Sequence, residues 1–156
     1  MNVLIVCTTN SCASQMAEAW LKNINPEINV HSSGVSPKEE MNPLAVKAMM
    51  ELGIDISNRK PTHVNNYINE DWDYIMTISD FAKENLPEFM AEVKNRIHYV
   101  FDDPTKAEGD EEFILSEYKR VSLDINHTMF FMNDVVFKNP NPGCNSTGCS
   151  CSNCSK

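Results

Sequence analysis

Over 156 residues the chain has no apolar run near the roughly 18 to 20 residues that a membrane-spanning helix requires, so no membrane association is expected. It is also poor in positive charge. Thirteen Lys and Arg stand against 22 Asp and Glu, and a net charge of −9 leaves too few cations to release counterions from a nucleic acid. The apolar start MNVLIVC has neither a basic flank nor a small-residue cleavage site, so it reads as a buried strand of a cytoplasmic protein whose thiols are reduced. No internal repeat is present. The remainder is ordinary globular composition, 42% hydrophobic and 22% charged, at a length suited to one domain.

The apolar residues alternate between two periods. Val3 to Val6 is a β-branched and aliphatic run of the kind covered on both faces in a parallel sheet. Met16, Ala17, Trp20, Leu21 and Ile24 then recur at helical spacing, with Ser14 placed as the N-cap. Ile28 to Val35 predicts a second strand, and Pro43 opens a helix that stops at Gly53. Asp73 to Ser79 and Ile97 to Phe101 predict two more strands, separated by a helical stretch from Phe81 to Val93 that Pro87 interrupts. A long helix follows in EEFILSEYKRVSLDINHTMFFM. The expectation is a single doubly wound α/β domain over residues 1–137, a four-stranded parallel sheet with helices on both faces. Residues 138–156, rich in Pro, Gly, Asn and Ser between cysteines, read as a flexible Cys-rich tail.

Ligands of such sheets bind beyond the carboxyl ends of the strands, and Cys7 lies there. The loop Thr8, Thr9, Asn10, Ser11, Cys12, Ala13 leads into a helix, so its amides can converge on an anion. The same amides and the helix dipole are expected to lower the Cys7 pKa and make it a nucleophile. Ser14 is placed to donate to the Cys7 sulfur as well as to cap. The plainer alternatives are a buried inert Cys7 and a Cys12 that only packs beneath the loop.

The stretch VCTTNSCASQMAEAWL resembles the signature of the superfamily of thioredoxin-coupled arsenate reductases and low-molecular-weight protein tyrosine phosphatases. NPLAVKAMMELGIDISN and VFDDPTKAEGDEE extend the similarity over roughly residues 2–130, leaning toward the reductases. The resemblance implies Cys7 as nucleophile, Asp103 as general acid, and no required cofactor. It also implies an Arg where Ala13 stands. Losing that bidentate grip is expected to lower the rate by roughly 10² to 10⁴. Two further cysteines of the reductase relay correspond to Ile78 and Asn85, so the usual relay is absent. Asn10, Glu18 and Ser33 match residues that hold a potassium ion in some members, with Thr62 in the place of an acidic fourth partner.

Without the resemblance, Asp103-Pro104 reads as a turn. Cys12 and the tail cysteines Cys144, Cys149, Cys151 and Cys154 are candidates to resolve an adduct of Cys7. Cys-x4-Cys-x-Cys-x2-Cys also offers four soft ligands for Zn²⁺ or Cu(I). Three functions therefore compete: reduction of an arsenate oxyanion with thioredoxin or another thiol as reductant, hydrolysis of a phosphotyrosine or other phosphate ester through a phosphocysteine, and oxyanion or metal binding without turnover.

Overall fold

The computed structural model describes residues 1–138. In chain order the elements are β1 (Asn2–Cys7), α1 (Ala13–Ile24), β2 (Asn29–Gly34), α2 (Pro43–Glu51), β3 (Tyr74–Thr77), the short α3 (Asp80–Glu84) and α4 (Glu88–Ala91), β4 (Asn95–His98) and α5 (Glu111–Met132). Short 3-10 turns occupy Val64–Tyr67 and Pro104–Lys106, and a π turn follows α5 at Asn133–Phe137.

The strands form one parallel sheet in the order β2-β1-β3-β4. β1 has a neighbour on each edge and helices over both faces, which is why Val3 to Cys7 are all buried. Its side chains alternate between two cores. Val3 and Ile5 pack with Met16, Met49, Ile125 and Met129 from α1, α2 and α5, while Leu4 and Val6 pack with Val64, Ala82 and Met90 on the other face. A chain of polar contacts fixes the three larger helices together: Trp20 Nε1 donates to Ser122 Oγ at 2.9 Å, and Ser122 Oγ donates to Met49 Sδ at 2.9 Å.

Because β1 is followed by β2 on one side and flanked by β3 on the other, the strand order reverses beside it. A doubly wound sheet opens a crevice at that point, and the loop after Cys7 occupies it.

Several boundaries differ from the sequence reading. The helix after the first loop begins at Ala13 and is capped by Cys12 without a side-chain hydrogen bond, so Ser14 lies inside the first turn and is not the N-cap. Its hydroxyl is thereby free to face Cys7. The fourth strand lies at Asn95–His98 instead of Ile97 to Phe101. As an edge strand it pairs on one side only, its polar start Asn95-Arg96 faces outward, and the chain leaves the sheet after Tyr99 N donates to Thr77 O at 3.0 Å. The interruption expected at Pro87 is present: the stretch from 81 to 93 splits into α3 and α4 around Leu86-Pro87, as a proline without an N–H requires. Phe137 still packs on the core, its ring edge-on to Tyr74 at 5.1 Å. The four tail cysteines, and with them the Zn²⁺ or Cu(I) reading, lie outside the described residues.

Candidate active site

The loop from Cys7 to Cys12 turns its carbonyls outward and several amides inward. A second segment, running from β2 toward α2, takes up the carbonyls: Val35 N donates to Cys7 O (3.0 Å), Ser36 N to Thr8 O (2.8 Å), Lys38 N to Thr9 O (3.0 Å) and Asn42 N to Ser11 O (2.9 Å). With its acceptors satisfied, the loop can present donors to the crevice. The two segments approach so closely that a Cβ on Gly34 would lie 2.9 Å from Thr8 O, so glycine is required there.

Asn10 makes the inward turn. Its φ of 50° is in the left-handed region that Asn tolerates, and its side-chain amide is fully engaged. Oδ1 accepts from Thr62 N (2.8 Å) and Gln15 Nε2 (3.1 Å), while Nδ2 donates to Ser14 Oγ and Ser32 Oγ, both at 2.9 Å. Asn10 N is thereby aimed at Cys7 Sγ, 3.0 Å away, and Ser14 Oγ lies 2.9 Å from the same sulfur.

The expected low pKa of Cys7 is not what this environment produces. Burial pushes the thiol up, and the opposing hydrogen bonds from the Ser14 hydroxyl and the amides of Asn10, Thr9 and Ser14 offset that only in part. Cys12, at the same loop, is pushed up to about 12 by burial, then by the charges of Cys7 and Asp103, with Lys38 acting in the opposite direction. The physical reason is burial in a crevice where Ala13 contributes only a methyl group.

Among the described residues no arginine lines this crevice. Arg59 Nη1 is on Glu18 Oε1 at 3.0 Å, Arg120 is held by Asp102, Glu117 and Asp124, and Arg96 lies on β4. Among the described residues the cations that do line it are Lys38 and Lys106, neither singled out from the sequence. Both follow carboxyl ends of strands, and that position was the available signal.

The crevice has a volume of about 760 Å³ and brings Cys7, Cys12, Ala13 and Asp103 together. Asp103 caps the Pro104–Lys106 turn, its Oδ1 accepting from Thr105 N (3.0 Å) and Thr105 Oγ1 (2.6 Å), and the residue is exposed. Asp102 turns to Arg120 Nη2 at 3.1 Å. Ile78 is buried just past β3, and Asn85 Nδ2 donates to Phe81 O, so the relay positions carry no thiol chemistry.

The expected potassium residues do not form a cation cage. Glu18 Oε1 already meets Lys22 Nζ (2.7 Å) and Arg59, and Glu18 Oε2 accepts from Ser32, not Ser33. The Asn10 carbonyl oxygen is occupied by Thr62 and Gln15, and the buried Ser33 hydroxyl stands without a hydrogen-bond partner. This donor set is closed by two built-in cations and does not fit an added one.

A parallel sheet that delivers a cysteine sulfur into hydrogen bonds from loop amides, with an Asp-Pro turn across the mouth, defines the class of α/β proteins that cradle a tetrahedral oxyanion over a thiol. The chain belongs to the low molecular weight phosphotyrosine protein phosphatase family, whose pattern matches residues 2–123. Among its relatives the arsenate reductase of Bacillus subtilis (strain 168) is 39% identical over 128 residues, 81% of this chain and 91% of its own. That of Bacillus licheniformis is 42% identical over 124 residues, covering 79% and 88%. A solved arsenate reductase in the phosphate binding state superposes with a TM-score of 0.71 at 26% identity, over 88% of this chain and 97% of its own. An arginine phosphatase with a phosphorylated active-site serine gives 0.73 at 21% identity over 89% and 97%, a likeness of fold alone.

Proposed function

We propose that the protein is an arsenate-reductase-like oxidoreductase in which Cys7 attacks the arsenic of a bound arsenate. The observation that carries this reading is the sulfur held at 3.0 Å by Asn10 N and 2.9 Å by Ser14 Oγ, in a chain whose relatives at about 40% identity are arsenate reductases. In the first step the Cys7 thiolate forms a sulfur–arsenic bond while one arsenate oxygen takes a proton from Asp103 and leaves as water. Ser14, which accepts from Asn10 Nδ2, has its own hydrogen left for the sulfur.

In the second step another thiolate attacks the Cys7 sulfur. A sulfur–sulfur bond forms, the sulfur–arsenic bond breaks, and its electron pair stays on arsenic, which departs as arsenite. Two thiols are oxidised and arsenic(V) is reduced to arsenic(III). Cys12 is the proposed resolving thiol within the loop. Cys12 lies at the same loop, close enough for the charge of Cys7 to be felt at its sulfur. The tail cysteines are the alternative resolvers, and an external dithiol such as thioredoxin in the cytoplasm would return the protein to its reduced form. No step calls on a cofactor.

Arsenite formation from arsenate with dithiothreitol tests this reading, run beside hydrolysis of p-nitrophenyl phosphate. The wild type is expected to make arsenite slowly and the Cys7→Ser variant none. Phosphate ester turnover without arsenite would instead assign the site to hydrolysis.

A further inference from the structure

We infer that Lys38, on the segment between β2 and α2, is the cationic group that grips the oxyanion in this crevice. This inference deepens the oxyanion reading given above and rests on it.

The floor of the crevice is made of dipoles. The N-terminus of α1 has no side-chain cap and no acidic residue in its first turn, and the loop adds its inward amides. Amides and a helix terminus attract an anion, but a tetrahedral oxyanion of two negative charges still leaves charge uncompensated. Ala13 contributes only a methyl group, and two of the three arginines are held in ion pairs while the third, Arg96, lines a separate depression along β4.

Lys38 is in the right place and is held there. Its own N–H is bonded to Thr9 O, between the contacts of Ser36 N with Thr8 O and Asn42 N with Ser11 O, so its backbone moves with the anion loop. Its side chain lines the crevice, and its charge is felt at Cys12 Sγ, where it opposes the effects of burial. Among the described residues, Lys22, Lys47, Lys119 and Lys138 each have a carboxylate within ion-pair distance, whereas none is within that distance of Lys38. The ammonium is therefore available to a ligand. Lys106 faces the same space from the turn that carries Asp103 and is the natural comparator.

An ammonium on a four-carbon stem acts as a point charge, without the fixed fork of a guanidinium. Lys38 would thus supply attraction while the amides supply orientation.

The test is protection of Cys7 from iodoacetamide by inorganic phosphate and by arsenate, measured for the full chain and for the Lys38→Met, Lys38→Arg, Lys106→Met and Ala13→Arg/Lys38→Met variants, each checked for an unchanged thermal transition. The wild type is expected to be protected, and Lys38→Met to need about tenfold more anion, as for loss of one charge-assisted contact. Lys38→Arg should retain protection, and adding Ala13→Arg should restore it to Lys38→Met. Equal protection of Lys38→Met and wild type, or a loss confined to Lys106→Met, overturns the role of Lys38 and leaves the oxyanion reading standing. Absence of protection in the wild type itself overturns both.

Discussion

Cys7 sits at 7% exposure with three backbone amides and a hydroxyl directed at its sulfur, yet its thiol lies above the ordinary value of 9.0, because dipoles alone do not compensate the burial of a charge. At neutral pH the proton is therefore on. Alkylation of Cys7 should accelerate about tenfold per pH unit through pH 7 to 9 and level off only above the ordinary thiol range. Introducing Ala13→Arg should shift that profile to lower pH by about one to three units, the effect of an adjacent opposite charge, and a profile that does not move would deny that a cation at position 13 reaches the Cys7 sulfur. The stability consequence has the same sign. A thiol whose folded pKa is raised supports the fold below the unfolded value of about 9 and loses that support as pH climbs toward the folded value, so Cys7 and Cys12 together weaken the fold above pH 9. The sequence disclosed which atom was special through strand, loop and helix in succession. It did not disclose the direction of the shift, which depends on how deeply the sulfur is buried and on Arg59 and Arg120 being tied elsewhere.

At the level of elements, the β1, loop and α1 unit and the Pro43 to Gly53 helix were legible because their signals are local: a β-branched run, a helical period, proline at the first turn and a glycine at φ 87° just past the end. A fourth strand was legible but its bounds were not, since an edge strand of four residues with a polar start carries no period, and its place is set by pairing with β3. The strap from Val35 to Asn42 was also invisible, because main-chain hydrogen bonds leave no mark on side-chain pattern. Ser122 shows how one polar residue can join elements. It accepts the buried Trp20 Nε1 and reaches Met49, so α1, α2 and α5 meet at one hydroxyl. Ser122→Ala should destabilise the fold by about 1 to 3 kcal/mol, the cost of leaving a buried donor unsatisfied, read as a lower midpoint in urea with an unchanged slope. A neutral Ser122→Ala would show that the three helices are held by apolar packing alone.

For the molecule as a whole, one end of the sheet gathers the chemistry: the Cys7 loop, the strap that carries Lys38 and the turn that carries Asp103 follow the carboxyl ends of β1, β2 and β4. A net charge of −9 surrounds a crevice that draws its attraction from amides and two lysines, so anions are selected locally against the field of the protein. The proposed reduction depends on the Cys7 sulfur bonding to arsenic and leaving it with the bonding electron pair. Its most direct test is a single turnover of the full, reduced chain with arsenate and no external thiol, followed by arsenite quantification and peptide mass mapping. One arsenite is expected per chain that loses the mass of two hydrogens, with the new disulfide containing Cys7 and its partner identified as Cys12 or a tail cysteine. Arsenite formed while Cys7 remains a free thiol would contradict it.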